Sequence, residues 1–387
     1  MIRSIKIKNF KLYHGLVAFD GLSKINLLTG VNGRGKSTLL QSMLLPKQSI
    51  IDSEWADKIS LCGEYVNLGN SKDVRNIKAS RSETIFFEYD TDDGNLCIEF
   101  SSDEDDRQKL DVDKVVVNGN SYPSKGIALN GFIPKNETVN EGLAHLVSSF
   151  NYISAERIGP KMNYKPAPDK NQMDAIGESV ANVLYAHKDD SVSETLLDGL
   201  REIFPMLSEE ELDDKSINGI VDFWLSKMFG RTKVKPSYLQ AATVYVLNYD
   251  TDGMRECKPT NIGYGYTFVL PILVAGLVAK HGSTLIIENP EAHLHPMAQS
   301  IIGKFIGWLA KFGGVQFFVE SHSEHIINSF RVMVAQEVLS AGDVNIEFFD
   351  DAYPDYSKKI VLDEHGRIEE WPVRFFDQEE QDLDILV

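Results

Sequence analysis

Residues 30–38 read GVNGRGKST and satisfy G-x-x-x-x-G-K-[ST], with Gly30, Gly35, Lys36 and Ser37 in register. Glycines at this spacing let a loop wrap with its backbone N–H groups turned inward, and the helix that follows adds its positive end. Lys36 then reaches terminal phosphates and the Ser37 hydroxyl ligates magnesium. Asn32, Gly33, Arg34 and Thr38 complete the candidate binding loop. An ordinary glycine-rich turn is the alternative, but the position between an apolar strand and a helix favours a nucleoside triphosphate. No N-K-x-D guanine motif is present, so ATP with Mg2+ is the expected ligand.

Three further segments end in groups suited to that chemistry. STLIIENPE is an apolar strand ending at Glu288, which puts a carboxylate at the carboxyl edge of a sheet, where open α/β folds bind ligands; a magnesium contact is expected there. Asn289 follows, and Glu291 two residues on is placed to orient a water or to cap the next helix. VQFFVESHSEH is a second apolar strand, with His322 just beyond it as a partner for a γ-phosphate or the attacking water. NIGYGYTFVLPIL sets two glycines before an apolar helix, freeing backbone N–H groups to meet an anion. His293, His295, His322 and His325 have spacings seen in transition-metal sites, yet no cysteine or third spaced ligand completes a set.

These groups need elements to hold them. Residues 2–8 and 24–30 read as strands, with a helix from about Lys36. Residues 45–177 carry hairpin signals: ETIFFEYD and LCIEF flank TDDGN, and KVVV runs into Asn118-Gly119. The acidic run at 101–113 reads as a solvated loop. Apolar residues recur three and four apart from about 178 to 229, predicting a helical lobe over 178–235. From TVYVLNYD onward strands alternate with helices, the signature of parallel crossover units. The expectation is one α/β domain over 1–387, its core formed by 1–45 and 240–340, with C-terminal strands and an acidic tail at 341–387.

Composition narrows the function classes. With 43% hydrophobic and 25% charged residues the chain is that of an ordinary globular protein. A net charge of −18 disfavours nucleic-acid binding by the whole surface and leaves DNA possible only through a local patch or a partner. No apolar run reaches the roughly 20 residues of a membrane span, and a cytoplasmic protein is expected. Cys62, Cys97 and Cys257 lie far apart, which supports neither disulfides nor a zinc ribbon.

The order of phosphate loop, hairpin region, helical lobe, NIGYGY, LIIENPEAHLHP and FFVESHSEH resembles the stand-alone ABC-type ATPases of prokaryotes. The likeness is to the ATPase part of the overcoming-lysogenization-defect (OLD) family and its relatives in anti-phage defence operons, kin of the structural-maintenance-of-chromosomes (SMC) and RecF-type ATPases. It spans nearly the whole chain, and YISAERIGP and WPVRFFDQ also resemble segments of this group. The resemblance implies an ABC-type P-loop ATPase fold with an antiparallel β region and an inserted helical lobe. It makes Gly30 to Thr38 the Walker A loop, Glu288 the Walker B magnesium position and His322 the switch histidine. Gly263, Gly265 and Thr267 would form a degenerate signature motif that meets the partner's ATP across a dimer, and Ala292 to His295 the D-loop. The Q-loop has a candidate only near Leu68-Gly69.

Asn289 falls where the family often has its catalytic glutamate, and an amide cannot accept a proton from water. Either Glu291 acts instead with slow turnover, or ATP mainly holds a closed dimer. The stretch after His322 reads as strands and a tail with no room for a nuclease. The resemblance therefore implies a sensor or regulatory subunit with a separately encoded effector, such as an HNH or Toprim-like nuclease. The competing expectation is a genome-maintenance ATPase of the SMC or RecF type that grips DNA; a third, an interaction protein with a vestigial site, sits poorly with intact Lys36 and Ser37.

Overall fold

A computed structural model describes residues 1–52, 57–101, 107–123, 129–130, 132–134, 143, 150–167, 169, 171–353 and 356–386. Most of the acidic run at 101–113 is among these, but 102–106 lie outside them.

The N-terminal alternation of Ile5 and Ile7 with Lys6 and Lys8 forms β1 (Ile2–Phe10), its isoleucines fully buried. It pairs antiparallel with β2 (Tyr13–Asp20), and β3 (Ile25–Gly30) leads into the phosphate loop and the helix Lys36–Asp52. Then come β4 (Lys58–Ser60), β5 (Ile85–Thr91), β6 (Gly94–Ser101), β7 (Lys109–Val117) and β8 (Asn120–Pro123). These make an antiparallel sheet in the order β2-β1-β5-β6-β7-β4, with β8 beside β7. The turn signals lie where the hairpins reverse, between Thr91 and Gly94 and at Asn118-Gly119. A small ladder joins β9 (Leu129–Asn130) and β10 (Ile133–Pro134).

The second sheet carries the site. β11 (Phe150–Ile153), β14 (Thr284–Glu288), β15 (Gln316–Glu320), β3 and β16 (Val344–Phe349) are parallel in the order β11-β14-β15-β3-β16, and β17 (Ser357–Ile360) closes one edge antiparallel to β16. It thus draws on strands outside 1–45 and 240–340, while β1 and β2 belong to the other sheet.

Both faces of the parallel sheet are covered, which is why its strands read as continuous apolar runs. Leu285, Ile287, Phe317 and Val319 pack into a core with the helices Tyr264–Val278, Pro296–Trp308 and Glu324–Ala335. Ile286, Phe318 and Leu28 face the other way, into a core with Leu40 and Leu44 of the phosphate-loop helix and the inner face of the antiparallel sheet.

TVYVLNYD does not resume the parallel alternation as expected. It forms β13 (Val244–Thr251), which pairs along its length with β12 (Thr232–Leu239) in a separate two-stranded sheet. The helices of the lobe are Val180–His187, Glu194–Ile203 and Ile217–Phe229, the last ending where the helical periodicity ends. Buried Thr232 and Val234 alternate with exposed Lys233 and Lys235, the period of a half-buried strand.

Side chains of the helix Ile217–Phe229 hold this hairpin. The Val234 N–H donates to Asp222 at 2.7 Å, and Asn218 donates to the Val234 carbonyl at 3.0 Å. Burial pushes the Asp222 carboxyl up to about 7. Because its folded value lies above the unfolded carboxylate value near 3.9, its contribution is complete below about pH 4 and is lost as pH rises through 7. The three-unit gap sets a ceiling of about 4 kcal/mol. Asp222→Asn is therefore expected to be more stable than the parent at pH 8 by about 2 kcal/mol, with the difference shrinking towards zero at pH 4. Urea unfolding of both proteins at the two pH values checks this; a difference independent of pH would refute it.

Candidate nucleotide site

The phosphate loop grows out of a fully buried strand. Gly30 pairs with Phe349 of β16 and has φ +120°, and an added Cβ would collide with the Phe349 carbonyl, so only glycine fits. The Val31 N–H donates to that carbonyl at 2.9 Å. Tyr13, buried under the loop, donates its hydroxyl to the Gly35 carbonyl at 2.8 Å. Lys36 folds back across the loop, donating from Nζ to the carbonyls of Gly30 at 2.9 Å and Val31 at 3.0 Å, and its burial lowers its pKa.

Asn32, Gly33, Gly35, Lys36, Ser37 and Thr38 line a cleft of about 710 Å³, together with Lys11, Leu12, Lys72, Asp73, Arg75, Ile77 and Glu320. Four basic residues lining one cleft of a protein of net charge −18 suit a polyphosphate, and the glycine-only backbone provides the approach it needs. The residues present therefore fit ATP, with Ser37 placed for its Mg2+. Gly30 lies beneath the loop, and Arg34 turns away to pair with Asp351 at 2.8 Å. Asp351 is also held by Arg374 of the WPVRFFDQ segment at 3.1 Å, so the C-terminal region braces the phosphate loop.

The carboxyl ends of β14 and β15 supply the acids. Glu288 and Glu320 are register partners on adjacent strands, and β15 lies between β14 and β3. Consequently Glu320, not Glu288, meets the loop: Ser37 Oγ donates to its two carboxylate oxygens at 3.0 and 3.3 Å. Burial, reinforced by the neighbouring Glu288, pushes the Glu320 carboxyl up to about 7. Burial also raises Glu288, whose carboxylate accepts the Ala155 N–H at 3.2 Å.

Asn289 sits at φ +44°, a left-handed conformation asparagine tolerates, with its N–H donating to the Glu320 carbonyl at 2.8 Å. Glu291 accepts from Ser321 Oγ at 2.9 Å and from the His322 N–H at 2.7 Å, so its carboxylate ties the turn after β14 to the end of β15. His322 is exposed, and partial burial of the ring and the Lys36 charge lower its pKa.

Beneath this edge lies Arg157, 4% exposed, donating to the carbonyls of Ser154, Glu288 and Asn289 at 2.8, 2.7 and 2.6 Å. Burial lowers its pKa to about 10, opposed by Glu291 and Glu288. Glu320 and Arg157 were not singled out in the sequence, nor were the cleft-lining Lys11, Lys72 and Arg75. Glu320 carries the same signal as Glu288, an acid closing an apolar strand; Arg157 carries only its place in YISAERIGP.

The glycine turn lies elsewhere. Gly263 caps the helix Tyr264–Val278 in open surroundings, and Tyr264 is exposed. Gly265 is buried, an added Cβ coming within 3.0 Å of the His293 carbonyl, and the Thr267 hydroxyl donates to the Tyr264 carbonyl at 2.9 Å. Among the described residues lining the phosphate cleft, none comes from 263–267 or from Leu68-Gly69. His293 packs on Phe268 and His295 caps the helix Pro296–Trp308; among the described residues no group of three or more His, Cys, Asp or Glu is placed to hold a metal ion. No helix among them is long and apolar enough to cross a membrane.

A phosphate loop between a buried parallel strand and a helix, faced by acids from neighbouring strand ends, defines an ABC-type P-loop ATPase domain. Residues 107–327 match the AAA ATPase domain family, and the chain belongs to that family. Residues 339–386 match a second family, described as a protein of unknown function, DUF3696. A stretch of 43 residues is 46% identical to a protein of Helicobacter pylori named ATP/GTP phosphatase, covering 11% of each chain. Among solved structures, the Smc head domain with an extended coiled coil bound to the C-terminal domain of ScpA, derived from Pyrococcus furiosus, is similar with a TM-score of 0.52 at 10% identity, over 100% of this chain and 99% of that one. The SmcHead bound to the C-winged helix domain of ScpA gives a TM-score of 0.51 at 11% identity, over 93% and 97%. At such identities the likeness is one of fold.

Proposed function

We propose that this ATPase is a nucleotide-held switch: a sensor or regulatory subunit of a prokaryotic anti-phage defence complex that closes as a dimer around ATP, hydrolyses it slowly and controls a separately encoded effector, such as an HNH or Toprim-like nuclease. The observation that carries the slow turnover is the state of the base positions. Asn289 offers an amide that takes no proton, and both oxygens of Glu291 are already engaged, accepting hydrogen bonds from Ser321 and His322 that hold the carboxylate in the turn. The dimer is supported by the open turn at Gly263 and Tyr264, which points at no phosphate of its own chain and suits a nucleotide held by a second copy. The defence role rests on the resemblance in motif order. The charge of −18 favours it over a DNA-gripping genome-maintenance ATPase.

The test is a mass measurement by light scattering. The parent should double in mass with Mg2+ and ATP. Gly263→Asp should bind ATP normally yet stay monomeric, since aspartate is a favoured helix cap at that open position but sets a negative charge against the partner's phosphates. A parent that binds ATP at unchanged mass, or a variant that still dimerises, would refute the sandwich. For the defence role, disrupting the gene in its host should raise phage plating; unchanged plating would remove that role and leave the switch intact.

A further inference from the structure

Glu320 lines the phosphate cleft and is 8% exposed. Its strand lies one spacing, about 4.8 Å, from the strand that carries the loop, whereas the strand of Glu288 lies one farther away. Lys36 directs its ammonium at two loop carbonyls, and among the described residues it makes no ion pair with Glu320. A carboxylate in this position faces a bound triphosphate, and a cation between them turns that like-charge repulsion into attraction on both sides. The Ser37 hydroxyl is the loop atom that takes magnesium, and the carboxylate already against that hydroxyl is Glu320.

We propose that Glu320, rather than Glu288, joins Ser37 in holding the Mg2+ of the bound nucleotide. Glu288, bound by the Ala155 N–H and flanked by Arg157, supports the site from the next strand. The inference rests on reading the cleft as a nucleotide site. It moves the metal contact from the acid that closes β14 to the one that closes β15.

The test is equilibrium binding of a fluorescent ATP analogue to the full chain, in Mg2+ and in EDTA, for the parent, Glu320→Gln and Glu288→Gln. Electron paramagnetic resonance of Mn2+ in the presence of nucleotide reads the metal directly. Glu320→Gln is expected to lose about tenfold or more of the affinity gained from the metal, and to weaken Mn2+ binding similarly. In EDTA it should bind as well as the parent or better, because a negative charge beside the phosphates has gone. Glu288→Gln should keep most of the metal gain. Glu320→Asp, a shorter carboxylate, should restore part of the Mn2+ binding, a rescue that a folding defect would not show. A full metal gain in Glu320→Gln, or a larger loss in Glu288→Gln, overturns the assignment. A parent that binds no nucleotide in either buffer overturns the nucleotide reading itself, and the assignment with it.

Discussion

Lys36→Ala is expected to lower ATP affinity by about a hundredfold or more. The ammonium donates to the Gly30 and Val31 carbonyls, which holds it across the mouth of the loop with its third proton available to a phosphate. A charge-assisted bond to phosphate contributes about 1.5–3 kcal/mol, and truncation also strips two loop carbonyls of their donor. Together these approach the roughly 2.7 kcal/mol that corresponds to a hundredfold. Isothermal calorimetry measures the affinity, with far-ultraviolet circular dichroism to show that the fold persists. An unchanged affinity would mean that the loop binds no triphosphate, whatever its sequence.

Arg157→Ala is expected to destabilise the protein by about 3–5 kcal/mol, the usual consequence of removing one partner from a buried charge network. Its guanidinium satisfies three carbonyls, stacks 5.6 Å from the Phe268 ring centre and offsets the charges of Glu288 and Glu291. It thereby ties the segment after β11 to the end of β14 and to the helix Tyr264–Val278. Denaturant unfolding should show a lower midpoint at unchanged slope. Arg157→Lys should recover little, because a single ammonium lacks the planar fork that reaches three carbonyls. A loss below about 1 kcal/mol would show that the carbonyls find other donors.

Both residues lie at one sheet edge, yet only Lys36 was legible beforehand. Its motif is local: the loop, the apolar strand before it and the helix after it occupy consecutive residues, and glycine is required by backbone geometry at Gly30. Glu288, Glu291 and His322 were legible for a related reason, since an apolar run closing in polar residues marks a strand end. Arg157 lies in a short strand and loop whose pairing with β14 joins residues more than a hundred positions apart.

By itself the sequence determined the α/β class, the phosphate loop and its ligand class, the hairpin turns and the identity of most groups gathered at the site, because each is written in a local period or a fixed spacing. Only the tertiary structure decided which strand neighbours which. Ser37 and Glu320 are 283 residues apart, and their contact exists because β15 inserts between β14 and β3. The same long-range pairing sent β1 and β2 to the antiparallel sheet, brought β16 to the phosphate strand, and set Arg34 beside Asp351. Strand order follows from the burial of whole faces and from backbone pairing between distant segments, and no window of the sequence contains both partners.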